Sequence, residues 1–306
     1  MLSGLKNYPV EISAIVSMAD DGGSTGMLRD ELGVLPPGDV RQCLVALSES
    51  GKTMRELFNY RYSNGGLAGH SFGNIFISTL EKISGNINEA INEAGQILRI
   101  SGRVIPVTLT NTKLVAKLAN GKIVVGQRKI DDVNLAGLKR LKLEPRAVAN
   151  PEAIRAIRQA DKIVINPGNF YESILPNFLV SGIAKAIKKS RAKKIFVCNL
   201  MTKSGHTDNF SVIDYLEVLE HHLGGNTIDC VIYNNEKPNE ALIKKYSYEG
   251  EHLVRASKLK LYPKVKFIGA KMLAKKIAKP QKGDTIKRTL IRHDSDKLAK
   301  IIYEIK

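Results

Sequence analysis

The chain has 306 residues, 43% of them hydrophobic, a length and composition that fit a globular protein able to bury one large core or two modest ones. Forty-seven Lys and Arg stand against thirty Asp and Glu, for a formal net charge of +17, so the surface attracts anions in general, yet 6% aromatic content with no Trp argues against a single-strand nucleic-acid binder. No apolar run approaches the roughly 20 residues that span a bilayer, and residues 1–10 lack a signal-peptide core. Cys43, Cys198 and Cys230 have no metal spacing, and their odd number speaks for reduced thiols in a cytoplasmic protein rather than a disulfide framework.

The first predicted strand covers 11–18, carried by Ile12, Ala14, Ile15, Val16 and Met18. Directly after it comes Asp20-Asp21-Gly22-Gly23-Ser24-Thr25-Gly26. The glycines permit close backbone approach and an anion nest, and Ser24 and Thr25 add hydroxyl donors. Asp20 and Asp21 would repel a bare phosphate and so point to a bridging Mg²⁺ or to a sugar hydroxyl. The competing reading is a solvated Asp-Gly turn that starts the next helix.

Pro36-Pro37 is a rigid turn, and Asp39 is expected to cap a helix that buries Val40, Leu44 and Leu47. Arg41 in its first turn opposes the helix dipole, which suggests an anionic partner, either a ligand phosphate or a nearby carboxylate. In LAGHSFGN, residues 67–74, His70, Ser71 and Asn74 precede an apolar helix. This is a second helix start able to face an anion, with His70 as an acid, a base, a donor or simply a structural residue.

Further strands are predicted at 105–109, 161–166, 193–199, 228–234 and 264–270, with helices at 150–160, 176–189, 210–222 and 238–246. Between them, Asn120-Gly121 marks a hairpin within 113–126, and LKRLKLEP continues an antiparallel excursion. The repeated helix and strand units imply an α/β protein: a three-layer, Rossmann-like, mostly parallel sheet with a small antiparallel hairpin excursion, in one domain over 1–306. In such sheets ligands lie beyond the carboxyl ends of the strands. That rule gathers Asp20–Gly26, Asn166 with Gly168 and Asn169, Asn199 with Thr202, and Asn234 with Asn235. Asn side chains both donate and accept, which suits a uracil edge, a ribose or a sugar. Basic residues are dense from Arg255 to Arg288, read as a solvated lysine-rich surface, with nucleic acid as a secondary reading.

The runs ADDGGSTG, LRDELGVLPPGDVRQCLVAL, YRYSNGGLAGHSFGN, KKIFVCNLMT and IRHDSDKLA together resemble the gluconeogenesis factor family, related to the 2-phospho-L-lactate transferases of deazaflavin-cofactor biosynthesis and hence CofD-like. The resemblance extends over essentially the whole chain from Leu2. It implies a cytoplasmic regulatory protein that binds a UDP-sugar or another nucleotide diphosphate and supports normal cell shape on gluconeogenic carbon sources. The alternative is a transferase that moves a phospho-lactyl-like group from a nucleotide diphosphate donor, with Asp20 and Asp21 positioning Mg²⁺. A family loop of the form GPGSLYTS stands here as Asn166-Pro167-Gly168-Asn169-Phe170-Tyr171-Glu172-Ser173, retaining the glycine and Ser173 while changing the polar lining. Family members carry a strand and a GGGTG loop ahead of the segment LSGLKNYP, so the expectation is either coding sequence for that strand upstream of Met1 or weak nucleotide binding. Homo-oligomerisation stays open on sequence alone.

Overall fold

The computed structural model describes residues 1–275 and 290–305. Its first parallel ladder pairs β1 (Ser13–Val16) with β2 (Arg103–Pro106), Ser13 opposite Arg103 and Val16 opposite Pro106. A second, four-stranded parallel ladder runs in the order β6 (Lys162–Ile165), β7 (Lys193–Val197), β8 (Cys230–Asn234), β9 (Lys266–Ala270). Between the two in sequence lies the antiparallel excursion, β3 (Lys113–Leu118), β4 (Ile123–Val125) and β5 (Leu138–Glu144), with β3 central.

The architecture is therefore α/β, as the alternating pattern implies, with the parallel strands divided between a two-stranded and a four-stranded ladder, packed with helices, and a small antiparallel sheet beside them. Ile195, Phe196 and Val197 of β7 and Cys230, Val231 and Ile232 of β8 are all fully buried, the continuous apolar run of strands covered on both faces. Helix Val212–Leu223, which joins β7 to β8, starts with a capping box in which Ser211 and Asp214 satisfy each other's backbone N–H groups. One hydrophobic cluster extends from Leu5 to Ile305 and includes residues of both parallel ladders.

Three local expectations need correction. Helix Gly38–Leu47 begins one residue before Asp39, with Pro37 at the N-cap, so Asp39 lies in the first turn rather than capping it; the preceding prolines pre-set a helical entry. Val40, Leu44 and Leu47 are nonetheless fully buried. The helix expected over 176–189 is broken into Leu175–Leu179 and Ile183–Lys189. Gly182, at φ +105, turns the chain between them. The strand expected at 105–109 is β2, shifted to Arg103–Pro106: Val107 still donates its N–H to the Val16 carbonyl, but its own carbonyl and the Thr108 hydroxyl turn to the 148–150 segment.

Among the described residues no helix is long and apolar enough to cross a membrane. All three cysteines are free, with Cys198 and Cys230 buried and Cys43 partly so. Of the basic run, Arg255, Lys258, Lys260, Lys264, Lys266, Lys271 and Lys275 are exposed, and its part over 276–289 lies outside the described residues.

Candidate functional site

At the carboxyl end of β1 the chain turns through Asp20 and Asp21 into helix Gly23–Leu32. Asp20 Oδ1 accepts the Gly22 N–H at 2.9 Å, a local Asx turn. Gly22 is the N-cap and provides no side-chain acceptor, so no N-cap side chain satisfies the N–H groups of the first helical turn. Gly38 packs against this turn: a Cβ there would fall 2.6 Å from both Asp20 Oδ2 and Thr25 Oγ1. The Pro36-Pro37-Gly38 turn thus lets a second helix start approach the first.

A third helix, Phe72–Ser84, completes the group, with Ser71 at its N-cap accepting the Asn74 N–H at 3.2 Å. Side chains then link the three. Ser24 Oγ lies 3.2 Å from His70 Nδ1. Asn74 Nδ2 donates to Ser24 Oγ at 3.3 Å and to Thr25 Oγ1 at 3.5 Å, while Arg41 Nε donates to Asn74 Oδ1 at 2.9 Å. Arg41 Nη1 also reaches Asn59 Oδ1 at 2.7 Å and the Phe58 carbonyl at 3.3 Å. Ser24, Thr25, Arg41, His70, Ser71 and Asn74 are all buried. Gly23 and Gly26 complete the turn, Gly26 packed directly on the Asp21 carbonyl.

The electrostatics of this corner are crowded. Burial raises the Asp20 carboxyl above its ordinary value, opposed by the Gly22 and Thr25 bonds and reinforced by Asp21. Burial and then the Asp20 charge push Asp39 up to about 7, with Arg41 pulling the other way. Arg29, 4% exposed, donates from Nη2 to the Thr112 carbonyl at 2.7 Å, and its Nη1 has no hydrogen-bond partner. Burial lowers its pKa, countered by Asp21, Asp30 and Asp20.

The two adjacent aspartates diverge. Asp21 Oδ1 accepts the backbone N–H of Arg128 at 2.9 Å, at the start of the short helix Gln127–Asp131 in the antiparallel excursion. The other end of that helix meets a second cluster. Asp131 accepts from Asn169 Nδ2 at 3.2 Å and pairs with Lys203 Nζ, which lies 3.4 Å from Glu172 Oε1. Glu172 Oε1 is 2.6 Å from His206 Nδ1, both side chains almost fully buried, and His206 Nε2 lies 3.0 Å from the Val133 carbonyl. Glu172 sits in a π-helical turn, Phe170–Ile174, after β6, a distortion frequent at functional sites. Since five helical residues rise about 7 Å, helix Gln127–Asp131 ties the two strand-end clusters together over that short span.

The remaining predicted residues distribute as follows. Asn199 Nδ2 donates to the Gly168 carbonyl at 2.9 Å, while its Oδ1 is buried without a hydrogen-bond partner. Ser173 accepts Asn177 Nδ2 at its carbonyl, 2.8 Å away. Thr202 is buried and tied to His252, donating its N–H at 2.7 Å and accepting the His252 N–H at 2.9 Å; its bonds are structural. Asn166, Gly168 and Asn169 are exposed beyond β6. Asn199, Tyr233, Asn234, Asn235 and Lys237 line a groove of about 260 Å³ beyond the ends of β7 and β8, the position expected of a ligand site in this class of sheet.

Among the described residues no three His, Cys, Asp or Glu side chains are grouped to hold a metal ion. Asp20 and Asp21 could supply two carboxylate oxygens to Mg²⁺, with water and ligand phosphate filling the other positions, which is how this ion is commonly held. The sequence reading missed Arg29, Asp131, Glu172 and Lys203. Arg29 could have been found from its i+4 spacing to Thr25 on one helix face; the other three have no local signal, since their partners lie on separate loops.

The family model described as 2-phospho-L-lactate transferase CofD matches residues 1–277. The "Gluconeogenesis factor" of Bacillus subtilis is 36% identical over 307 residues, covering 100% of this chain and 93% of that protein. A Thermotoga maritima protein named "Putative gluconeogenesis factor" is 42% identical, covering 100% and 95%. One of the same name from Clostridium acetobutylicum is 40% identical and covers 99% of this chain, which spans only 66% of that longer protein. A solved structure of a UPF0052 family protein from Bacillus halodurans superposes with a TM-score of 0.89 at 38% identity, covering 99% of this chain and 94% of the other. The chain belongs to the CofD family and, within it, to the gluconeogenesis factors.

Proposed function

We propose that this protein is a cytoplasmic regulatory protein that binds a nucleotide sugar, of the UDP-sugar class, and through it supports normal cell shape during growth on gluconeogenic carbon sources. The observation that carries the reading is the buried Ser24, His70, Asn74 and Arg41 network, which fastens three helix starts around the carboxyl end of β1. Helix starts direct N–H groups at anions, which suits a diphosphate. The groove beside Asn199, Tyr233 and Asn235 offers amide and aromatic surfaces to a base or sugar. A thermal-shift screen over nucleotides and nucleotide sugars, with and without Mg²⁺, tests this. A ligand at a hundred times its dissociation constant should stabilise the fold by about 2.7 kcal/mol, and a flat response across all nucleoside diphosphates would overturn the reading.

The match to the transferase model favours a second reading, transfer of a phospho-lactyl-like group from a nucleotide diphosphate donor. In that chemistry Asp20 and Asp21 would hold Mg²⁺ near the diphosphate; the acceptor hydroxyl oxygen bonds the transferred phosphorus and gives up its proton to solvent, while the bond from that phosphorus to the bridging oxygen breaks and the nucleoside monophosphate leaves. Release of nucleoside monophosphate from such a donor, dependent on an acceptor alcohol, would select this reading over the regulatory one.

A further inference from the structure

Sequence alone nominates Arg41 as the cation for a ligand phosphate, but its guanidinium is spent on Asn74, Asn59 and Phe58. Arg29 is placed differently. It is 4% exposed, makes one bond through Nη2 to the Thr112 carbonyl, and keeps Nη1 buried without a partner. No carboxylate forms an ion pair with it among the described residues, although Asp21 and Asp20 are near enough to influence its charge. A buried guanidinium without a paired anion is costly.

Its direction is set by the helix. Side chains lean toward the N-terminus of their own helix, and Arg29 lies in helix Gly23–Leu32, whose first turn has no side-chain cap. Thr112, which holds the guanidinium, lines one small crevice with Ser17, Met18 and Ala19, the residues that lead into the Asp20 turn. The charges of Asp20 and Asp21 at that turn also act on Arg29, which sets the guanidinium in the same corner as the uncapped helix start.

We infer that Arg29 is the buried cation of an anion site for a phosphate or diphosphate group seated at the start of helix Gly23–Leu32. This deepens the nucleotide-ligand reading by assigning its phosphate end, and it requires no particular base or sugar. A planar guanidinium with one arm fixed by Thr112 presents the other as a pre-oriented donor to a phosphate oxygen.

The test uses calorimetry on the full chain with inorganic pyrophosphate, uridine diphosphate and uridine as probes. Arg29→Gln removes the charge while keeping a shorter polar amide, Arg29→Met removes both charge and donors, and Lys258→Gln removes one exposed charge as a control for diffuse attraction. The expected result is a pyrophosphate affinity roughly 10- to 100-fold weaker in R29Q than in the parent or in K258Q, with uridine unaffected. Unfolding without anion should show R29Q folded, with no more than the loss of the Thr112 bond. Full pyrophosphate affinity in folded R29Q, equal losses in R29Q and K258Q, or no pyrophosphate binding by the parent chain would each overturn the inference. Should R29M fail to fold, R29Q still decides. Pyrophosphate binding lost in R29Q but no response to uridine diphosphate would leave the anion site standing and sink the nucleotide reading.

Discussion

The Asp21 carboxylate accepts the Arg128 backbone N–H at 2.9 Å across 107 positions of sequence, so one residue of the glycine-rich turn also holds the start of the helix between β4 and β5 of the antiparallel excursion. Gly126, the N-cap of that helix, has φ +104, and a Cβ there would lie 2.4 Å from Asp21 Oδ2. Gly126→Ala should therefore cost about 2 kcal/mol or more, from strain and from the displaced carboxylate. Asp21→Ala, which loses the cap, should cost about 1 kcal/mol. Asp21→Asn keeps an acceptor and should cost only a few tenths while weakening nucleotide binding, as should Asp20→Asn. Urea unfolding and calorimetry in the presence of Mg²⁺ separate these effects; unchanged affinity in both Asn variants would leave the turn a purely structural feature.

Arg41→Ala should destabilise the protein by about 2–4 kcal/mol, since it leaves Asn74 Oδ1, Asn59 Oδ1 and the Phe58 carbonyl short of a donor inside the fold. Lys258→Ala removes the same charge from an exposed position and should fall within about 0.5 kcal/mol of the parent. The binding loss should likewise be larger for Arg41→Ala, because Asn74 depends on it to orient toward Ser24 and Thr25. Comparable unfolding midpoints for the two variants would contradict the network's role.

Asp39 predicts a pH signature. Its carboxyl is raised from an ordinary 3.8 to about 7, so between those values the folded state holds a proton that the unfolded state has released. Stability from this group is full below about pH 4 and is lost as the pH rises toward 7. Asp39→Asn should flatten that decline and be the more stable protein at pH 8, by about 2 kcal/mol after allowance for its partial exposure. Unfolding free energies measured from pH 5 to 8 give the comparison; parallel curves for the two proteins would show that Asp39 titrates normally.

The parallel framework was legible because β7 and β8 are uninterrupted apolar runs, and the hairpin because Asn120-Gly121 has one preferred geometry. Ser24 on one side and His70, Ser71 and Asn74 on the other were legible as two separate helix starts, and that their side chains bond one another was not. What escaped was pairing at a distance. Arg41 and Arg29 are alike in sequence, two arginines in short helices, and only packing shows that one bonds two Asn side chains and a backbone carbonyl while the other retains a bare nitrogen. Charge was misleading for a similar reason: Lys6, Lys162 and Lys188 look like free surface cations, yet each donates to carbonyls at a helix C-terminus, stabilising the negative end of the dipole.

Glu172 and His206 give the sharpest test of the second cluster. His206 Nε2 lies 3.0 Å from the Val133 carbonyl, which requires a proton on that nitrogen, while Nδ1 lies 2.6 Å from Glu172 Oε1. The two residues act as one unit between the loop after β6 and the loop after β7, with Glu172 Oε2 buried beside them and without a hydrogen-bond partner of its own. Removing either partner strands the other in the interior beside Lys203. Glu172→Ala and His206→Ala should each cost about 3 kcal/mol, and the double variant should cost less than their sum by about 1 kcal/mol or more, because the second substitution removes the group that the first left unpaired. Glu172→Gln should be milder than Glu172→Ala, since it keeps the side-chain volume and a polar group beside Nδ1. A double-mutant cycle in urea measures the coupling. Strict additivity would mean that the short contact carries no net energy and that Lys203 and Asp131 alone hold these loops together.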